Sequence, residues 1–134
     1  MAFITVDSGE LLLLRYILAD TTPTNAKLRL FTNNYTPVEG TVLTDLTECV
    51  AAGYTAKTLI GSSFTYATTS GVSSAVYAAQ TFTITESVNV YGWYVTNTNS
   101  SAQDKLIWVE RFSDGPYSLS GGGTITINPD IRLA

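Results

Sequence analysis

The hydrophobic pattern of the chain changes character along its length. The densest apolar run is "GELLLLRYILAD", residues 9–20. On a helical wheel Leu11, Leu14 and Leu18 share one face, Leu13 and Ile17 a second, and Leu12 with Tyr16 a third. Asp7 or Ser8 suits an N-cap, Glu10 suits the positive end of the helix dipole, and Thr22-Pro23 supplies a stop. The pattern predicts a short helix over about 8–20. A helix apolar nearly all round must be covered on most of its sides. A single sheet covers one side, so the other sides point to a second subunit or a larger surface; the plainer alternative is that the helix caps the bottom of its own domain.

Beyond Pro23 the period drops from helical to two. In "AKLRLFTNN" Leu28 and Leu30 face one way while Lys27, Arg29 and Phe31 face the other, before the turn chemistry of Asn33-Asn34 and "TPVEG". "TVLTDLTECVAAG", residues 41–53, is ambiguous between a short helix and an irregular strand, and its Leu43, Leu46, Val50 spacing leans helical. Then strand follows strand: "TAKTLI", "SFTYAT", "SAVYAAQTFTIT", "VNVYGWYVTN" and "KLIWVERF". In "TFTIT" Phe82 and Ile84 point inward and the threonines outward. In "GTITINPDIRLA" Ile125, Ile127, Pro129, Ile131 and Leu133 fall on one face, and Pro129 places this strand at an edge or breaks it. "VNVYGWYV" and "KLIWV" are apolar on both faces, as central strands covered on each side are. Gly92, between Tyr91 and Trp93, suggests a bulge or a close backbone approach under an aromatic ring. These elements predict one mainly β domain over residues 1–134, an antiparallel β-sandwich of jelly-roll type with a short N-terminal α-helix.

Composition agrees with a packed domain. Of 134 residues 45% are hydrophobic and 13% charged, and the eight Tyr, five Phe and two Trp favour strands. No Lys or Arg precedes the leucine run, which Arg15 interrupts, so neither a signal peptide nor a membrane span is expected. A net charge of −4 with seven basic residues offers no phosphate-tracking stripe, which argues against nucleic acid as a partner. Cys49 stands alone, excluding an internal disulfide, and reads as a small semi-buried apolar residue. The chain has no histidine, and so lacks the commonest general base and metal ligand.

Candidate chemistry is thin. "WVERFSDGPY" brings Glu110, Arg111 and Asp114 close in sequence, and paired carboxylates can hydrolyse glycosides. Glu110 and Arg111, as strand neighbours, must point to opposite faces, and Asp114-Gly115-Pro116 is turn composition. Asp20, Glu39, Asp104 and Asp114 are loop carboxylates without the dense spacing calcium favours. "SGGG" at 120–123 lacks the lysine and helix of a phosphate loop and reads as a turn into the last strand. Trp93, Trp108, Tyr91 and Tyr94 would make a sugar-stacking platform if exposed, but on central strands they read as core. The residues therefore indicate a non-enzymatic domain with no catalytic, cofactor-binding or metal site, acting through protein contact.

"GELLLLRYIL", "LRLFTNNYTP", "VYGWYVT", "LIWVERFSDGPY" and "GGGTITINPDIRL" together resemble small virion structural proteins of tailed bacteriophages, above all the β-sandwich proteins that decorate or cement the capsid. The resemblance implies a homo-oligomer, a trimer, seated on the major capsid protein at the capsid surface and assembled in the host bacterial cytoplasm. It implies shape-complementary contact area in place of a reactive group. The alternative it leaves is a tail, baseplate or fibre component that binds a receptor or carbohydrate. Leu11, Leu12, Leu14, Tyr16 and Ile17 are the candidate oligomer and capsid contacts, with Arg111 and Tyr117 beside the SDGP turn.

Overall fold

A computed structural model describes residues 4–7, 9, 25–97 and 105–133. The expected helix over 8–20 therefore falls, Gly9 apart, outside the described residues, and so do Leu11, Leu12, Leu14, Tyr16 and Ile17. The described chain is mainly β. Its strands in order are β1 (Ile4–Thr5), β2 (Ala26–Phe31), β3 (Lys57–Leu59), β4 (Thr65–Thr69), β5 (Val72–Val76) and β6 (Gln80–Ile84). They continue as β7 (Val88–Val90), β8 (Gly92–Asn97), β9 (Lys105–Arg111), β10 (Tyr117–Leu119), β11 (Gly123–Ile127) and β12 (Asp130–Leu133). Every pairing between them is antiparallel. Among the described residues no helix is long and apolar enough to cross a membrane.

Two assemblies of strands build the domain. The first is a five-stranded sheet in the order β1-β9-β8-β2-β3. The second is a long bent ribbon in which the run β5-β6-β7 pairs with β12-β11-β10. Register is continuous from Gln80↔Ile127 through Ile84↔Gly123 to Val90↔Tyr117. It slips by one residue on passing to Val76↔Asp130, where Pro129 interrupts the strand and its carbonyl accepts from the Tyr77 amide at 2.9 Å. A residue without an N–H is tolerated at such a corner, so the expected break at Pro129 is present. The opposite corner, residues 120–122, uses Gly121 and Gly122 at positive φ, and a Cβ on Gly122 would lie 2.6 Å from the Ile84 carbonyl oxygen. The ribbon ends in the β4–β5 hairpin, which leaves β4 as an edge.

The ribbon and the sheet share a core. Phe82 and Ile84 from β6 and Ile125 and Ile127 from β11 meet Leu28, Leu30, Leu59, Trp93, Val95 and Ile107 from the sheet. Period-two alternation does this directly, since the intervening threonines of β6 are exposed. The other face of the sheet is also covered: Phe31, Tyr94, Leu106 and Val109 pack with Val6 and Leu46, and with Tyr35 and Leu43 at the margin. The cover is the connection between β2 and β3. Helical spacing over 41–53 leads here to no more than a 3₁₀ turn at Leu43–Asp45, whose Asp45 carboxylate accepts from the Val42 amide. Helix growth stops because residues 47–49 return to pair with β2, through Thr32 N to Thr47 O and Cys49 N to Leu30 O, each 2.9 Å. All six residues of β8 are buried, as two covered faces require.

A register shift between Val95 and Thr96 opposes Val95 to Trp108 and Thr96 to Leu106, so Ile107 is the extra residue. The bulge sends both Ile107 and Trp108 toward the shared core while Leu106 and Val109 face the other way. Gly92 sits in the close approach expected of it, opposite both Phe31 and Arg111. A Cβ there would lie 2.5 Å from Phe31 Cε1 and nearer still to the Glu110 carbonyl oxygen.

Candidate functional site

Two features offer themselves for contact. The first is a cleft of about 430 Å³ between the β8–β9 rim and the Pro129 corner, lined by Trp93, Glu110, Phe112, Asn128, Asp130 and Arg132 among others. Strand pairing of Trp93 with Glu110 forms one wall. Partial burial pushes the Glu110 carboxyl above its ordinary value, against the opposing hydrogen bond from Trp93. Across the cleft Arg132 donates to Asp130 Oδ2 through Nε at 3.0 Å and Nη2 at 2.6 Å. Asp130 Oδ1 is enclosed, with no hydrogen-bond partner among the described residues.

A carboxyl biased toward its protonated form with a second carboxyl group in the same cleft is the pairing that acid–base hydrolysis uses. Here Asp130 is held by the guanidinium on one oxygen and walled in on the other, which is poor geometry for activating water. Mixed hydrogen-bonding groups of both signs, with Trp93 and Phe112 beside them, suit recognition of a polar ligand better than turnover. Sequence proximity had grouped Glu110 with Asp114. The structure places Glu110 and Asp130 in the lining of one cleft and leaves Asp114 on an exposed turn, accepting from Tyr117 Oη at 2.7 Å. Asp130 and Arg132 alternate with Ile131 on β12, and the Pro129 corner is the signal that could have found them.

The second feature is the β4–β5 hairpin. All five residues of β4 are exposed, and Tyr66 is 71% exposed. Residues 58–85 contain no Asp, Glu, Lys or Arg, a depletion the strand pattern had obscured. Ser70 and Gly71 both take positive φ, the requirement of a type I′ two-residue turn. Ile60 and Val76 add exposed apolar surface nearby. Interface centres are depleted in charge in this way.

The remaining sequence candidates divide cleanly. Arg111 does point away from Glu110: its Nη1 donates to the Tyr35 carbonyl at 2.8 Å and its guanidinium lies over the Tyr91 ring. It therefore braces the β2–β3 connection. Tyr117 packs on Phe112 with ring centroids 4.6 Å apart, and its hydroxyl is held above its usual ionisation range by the hydrogen bond to Asp114. Trp93 and Tyr94 are buried, while Tyr91 and Trp108 pack half-buried at the core margins, so the four form no exposed platform. Cys49 is buried at 1% exposure and desolvation raises its thiol, which makes it unreactive. Of the loop carboxylates, Glu39 and Asp114 lie in separate loops, while Asp20 and Asp104 are outside the described residues; among those described, no three His, Cys, Asp or Glu side chains converge.

A network the sequence did not announce ties the β2–β3 connection down. Tyr54 Oη accepts from the Leu30 amide at 3.2 Å and donates to Glu48 Oε1 at 2.9 Å. Glu48 Oε2 accepts from Arg29 Nη1 at 2.8 Å, and the Tyr54 ring stacks on Phe82. Burial pushes the Tyr54 hydroxyl far up, keeping it a neutral donor. Its role is structural. Compared with known proteins, the chain matches no family model, no curated protein and no solved structure.

Proposed function

We propose that the chain is a non-enzymatic structural protein of a tailed-phage virion, a decoration or cement protein that binds the outer shell and bridges its subunits. The observation that supports this reading is the hairpin: a strand exposed along its whole length, at the edge of its sheet among the described residues and free of charge, that contributes no residue to the described core. Such a surface suits protein contact by shape and main-chain pairing. The shared core between the five-stranded sheet and the ribbon supports a two-layer β-sandwich arrangement as the scaffold. Oligomer contacts through Leu11, Leu12, Leu14, Tyr16 and Ile17 remain part of the proposal, whereas Arg111, already engaged by Tyr35 and Tyr91, is a weaker contact than Tyr117.

The test is attachment of the purified chain to expanded, empty capsids of the parent phage, followed by cryo-microscopy of the decorated shell. Saturable density at fixed positions on the outer surface is expected. Density confined to the tail, or no attachment, overturns it. One observation favours the second reading, a tail or fibre module that binds carbohydrate: the cleft of Trp93, Glu110, Asn128, Asp130 and Arg132 offers the mixed polar groups a polyol needs. Retention of the isolated chain on host-cell glycans, lost in Asn128→Ala, would select that reading.

A further inference from the structure

Edge strands are hazardous because they present unpaired N–H and C=O groups to any other strand, and proteins blunt them with charges, prolines or bulges. Strand β4 has none of these devices: its sequence is Thr-Tyr-Ala-Thr-Thr, it runs in regular register with β5 from Thr65↔Val76 to Thr69↔Val72, and among the described residues it ends its sheet. The residues flanking a two-residue turn form a hydrogen-bonded pair, and such pairs alternate along an antiparallel ladder. Thr69, Ala67 and Thr65 therefore bond inward to β5. Tyr66 and Thr68 direct their N–H and C=O groups to the open side.

That arrangement is self-complementary. We propose that two copies of the chain pair their β4 strands antiparallel about a two-fold axis at Ala67, joining two β12-β5-β4 sheets into one. Tyr66 of each copy then lies opposite Thr68 of the other and exchanges main-chain hydrogen bonds with it, while Ala67 meets Ala67 and Thr65 meets Thr69 in the closer, non-bonded pairs. Charge favours a second copy as the occupant. Each chain carries −4, so two copies approach best through a surface without charge, and residues 58–85 supply it. A basic or acidic partner would find no complementary group on this strand. The two-fold contact predicts an even-numbered assembly, in place of the trimer that the phage resemblance implies.

Light scattering after size-exclusion chromatography tests the pairing, with three kinds of variant. The unaltered chain is expected at an even multiple of its monomer mass. Ala67→Lys sets two ammonium groups face to face across the axis and is expected to halve that mass, while thermal unfolding measured at a concentration low enough to suppress association stays unchanged because the position is exposed. Ala67→Cys is expected to form an intermolecular disulfide without reductant, since a non-bonded pair brings Cα atoms to about 4.5 Å, within disulfide range. Thr65→Cys and Thr69→Cys should each stay reduced alone and cross-link when combined. Cys49 gives no background, being buried. A monomer whose Ala67→Cys variant stays reduced overturns the proposal. So does an oligomer indifferent to Ala67→Lys, or one in which Thr65→Cys alone links as readily as Ala67→Cys. The pairing takes up the open edge of β4 and leaves the exposed, uncharged faces of the paired hairpins for a shell. It is therefore tested apart from the virion reading: a dimer that ignores capsids leaves it intact, and a capsid-binding monomer refutes it.

Discussion

Gly92→Ala measures how closely β2, β8 and β9 are laid together. The added methyl would stand 2.5 Å from Phe31 Cε1 and 2.6 Å from Phe31 Cζ, with the Glu110 carbonyl oxygen still closer. The ring can rotate a little, but Phe31 is wholly buried and packs with Tyr94, Leu46 and Val109. The carbonyl belongs to a backbone fixed by the β8–β9 ladder. Overpacking of this kind costs about 1–3 kcal/mol, and alanine restores about 0.4–1 kcal/mol by restricting the unfolded chain. Because one obstacle is main chain, the upper part of the range applies and the net loss is about 2 kcal/mol. With an unfolding entropy of about 2.1 cal/mol/K per residue, the midpoint of a 134-residue domain falls by about 7 °C. Calorimetry or thermal circular dichroism reads this directly. Gly40→Ala is the control, since nothing lies within 4 Å of its Cβ position, and it should stay within about 0.5 kcal/mol. Phe31→Leu shortens the obstructing side chain, so Gly92→Ala should cost about 1 kcal/mol less in that background. A Gly92→Ala midpoint within about 1 °C of the original would refute the placement of Phe31 over Gly92.

Other perturbations follow from the same contacts. Tyr54→Phe removes the hydroxyl shared by the Leu30 amide and Glu48 and should cost about 1–3 kcal/mol in urea unfolding, as it strands a half-buried donor. Burial raises the folded pKa of Glu110 above its ordinary 4.5, so the folded state holds its proton more tightly than the unfolded one. Stability from this group is then full below about pH 4.5 and is lost as pH rises through the folded value; Glu110→Gln should flatten that part of the stability–pH curve and unfold at a higher temperature than the original at pH 7. Asp114→Asn should lower the pKa of the Tyr117 hydroxyl toward its ordinary value, measurable by NMR titration, with thermal stability unchanged on this exposed turn.

Much of the architecture was legible because it depends on local alternation. Phe82 and Ile84 face the core, the threonines between them do not, and this requires no knowledge of which strand pairs with which. The break at Pro129, the covered faces of β8, the opposed Glu110 and Arg111 and the tight seat of Gly92 are likewise properties of single residues or of their neighbours. What failed was spacing read as periodicity. Leu43 and Leu46 do reach one apolar cluster, but from an irregular segment pinned at its far end to β2, and Val50, the third member of the pattern, is 92% exposed. The residue that goes inside is its neighbour Cys49, held by the Leu30 carbonyl. The cleft was hidden for a related reason: Glu110 and Asp130 come to line one cleft only through the way the ribbon and the sheet pack, which is tertiary. The charge-free span 58–85 was in plain view, but strand periodicity drew attention to its apolar positions and away from the charges it lacks.

The hairpin also bears on what the fold is for. Ordering a residue costs about 1–2 kcal/mol of backbone entropy, and core strands recover it by burying side chains. Strand β4 buries none of its five, so its ordering is offset by its ladder to β5 and little else. If its side chains served the monomer, truncating them would destabilise it. Tyr66→Ser, on the exposed strand, should instead leave the unfolding free energy within about 0.5 kcal/mol, whereas Phe82→Ala, at 1% exposure on β6, should cost about 3–5 kcal/mol. Chemical denaturation of both variants at a concentration low enough to suppress association separates the two contributions. A Tyr66→Ser loss comparable to that of Phe82→Ala would mean the hairpin is held by its own domain, and the argument that its surface awaits another molecule would fail with it.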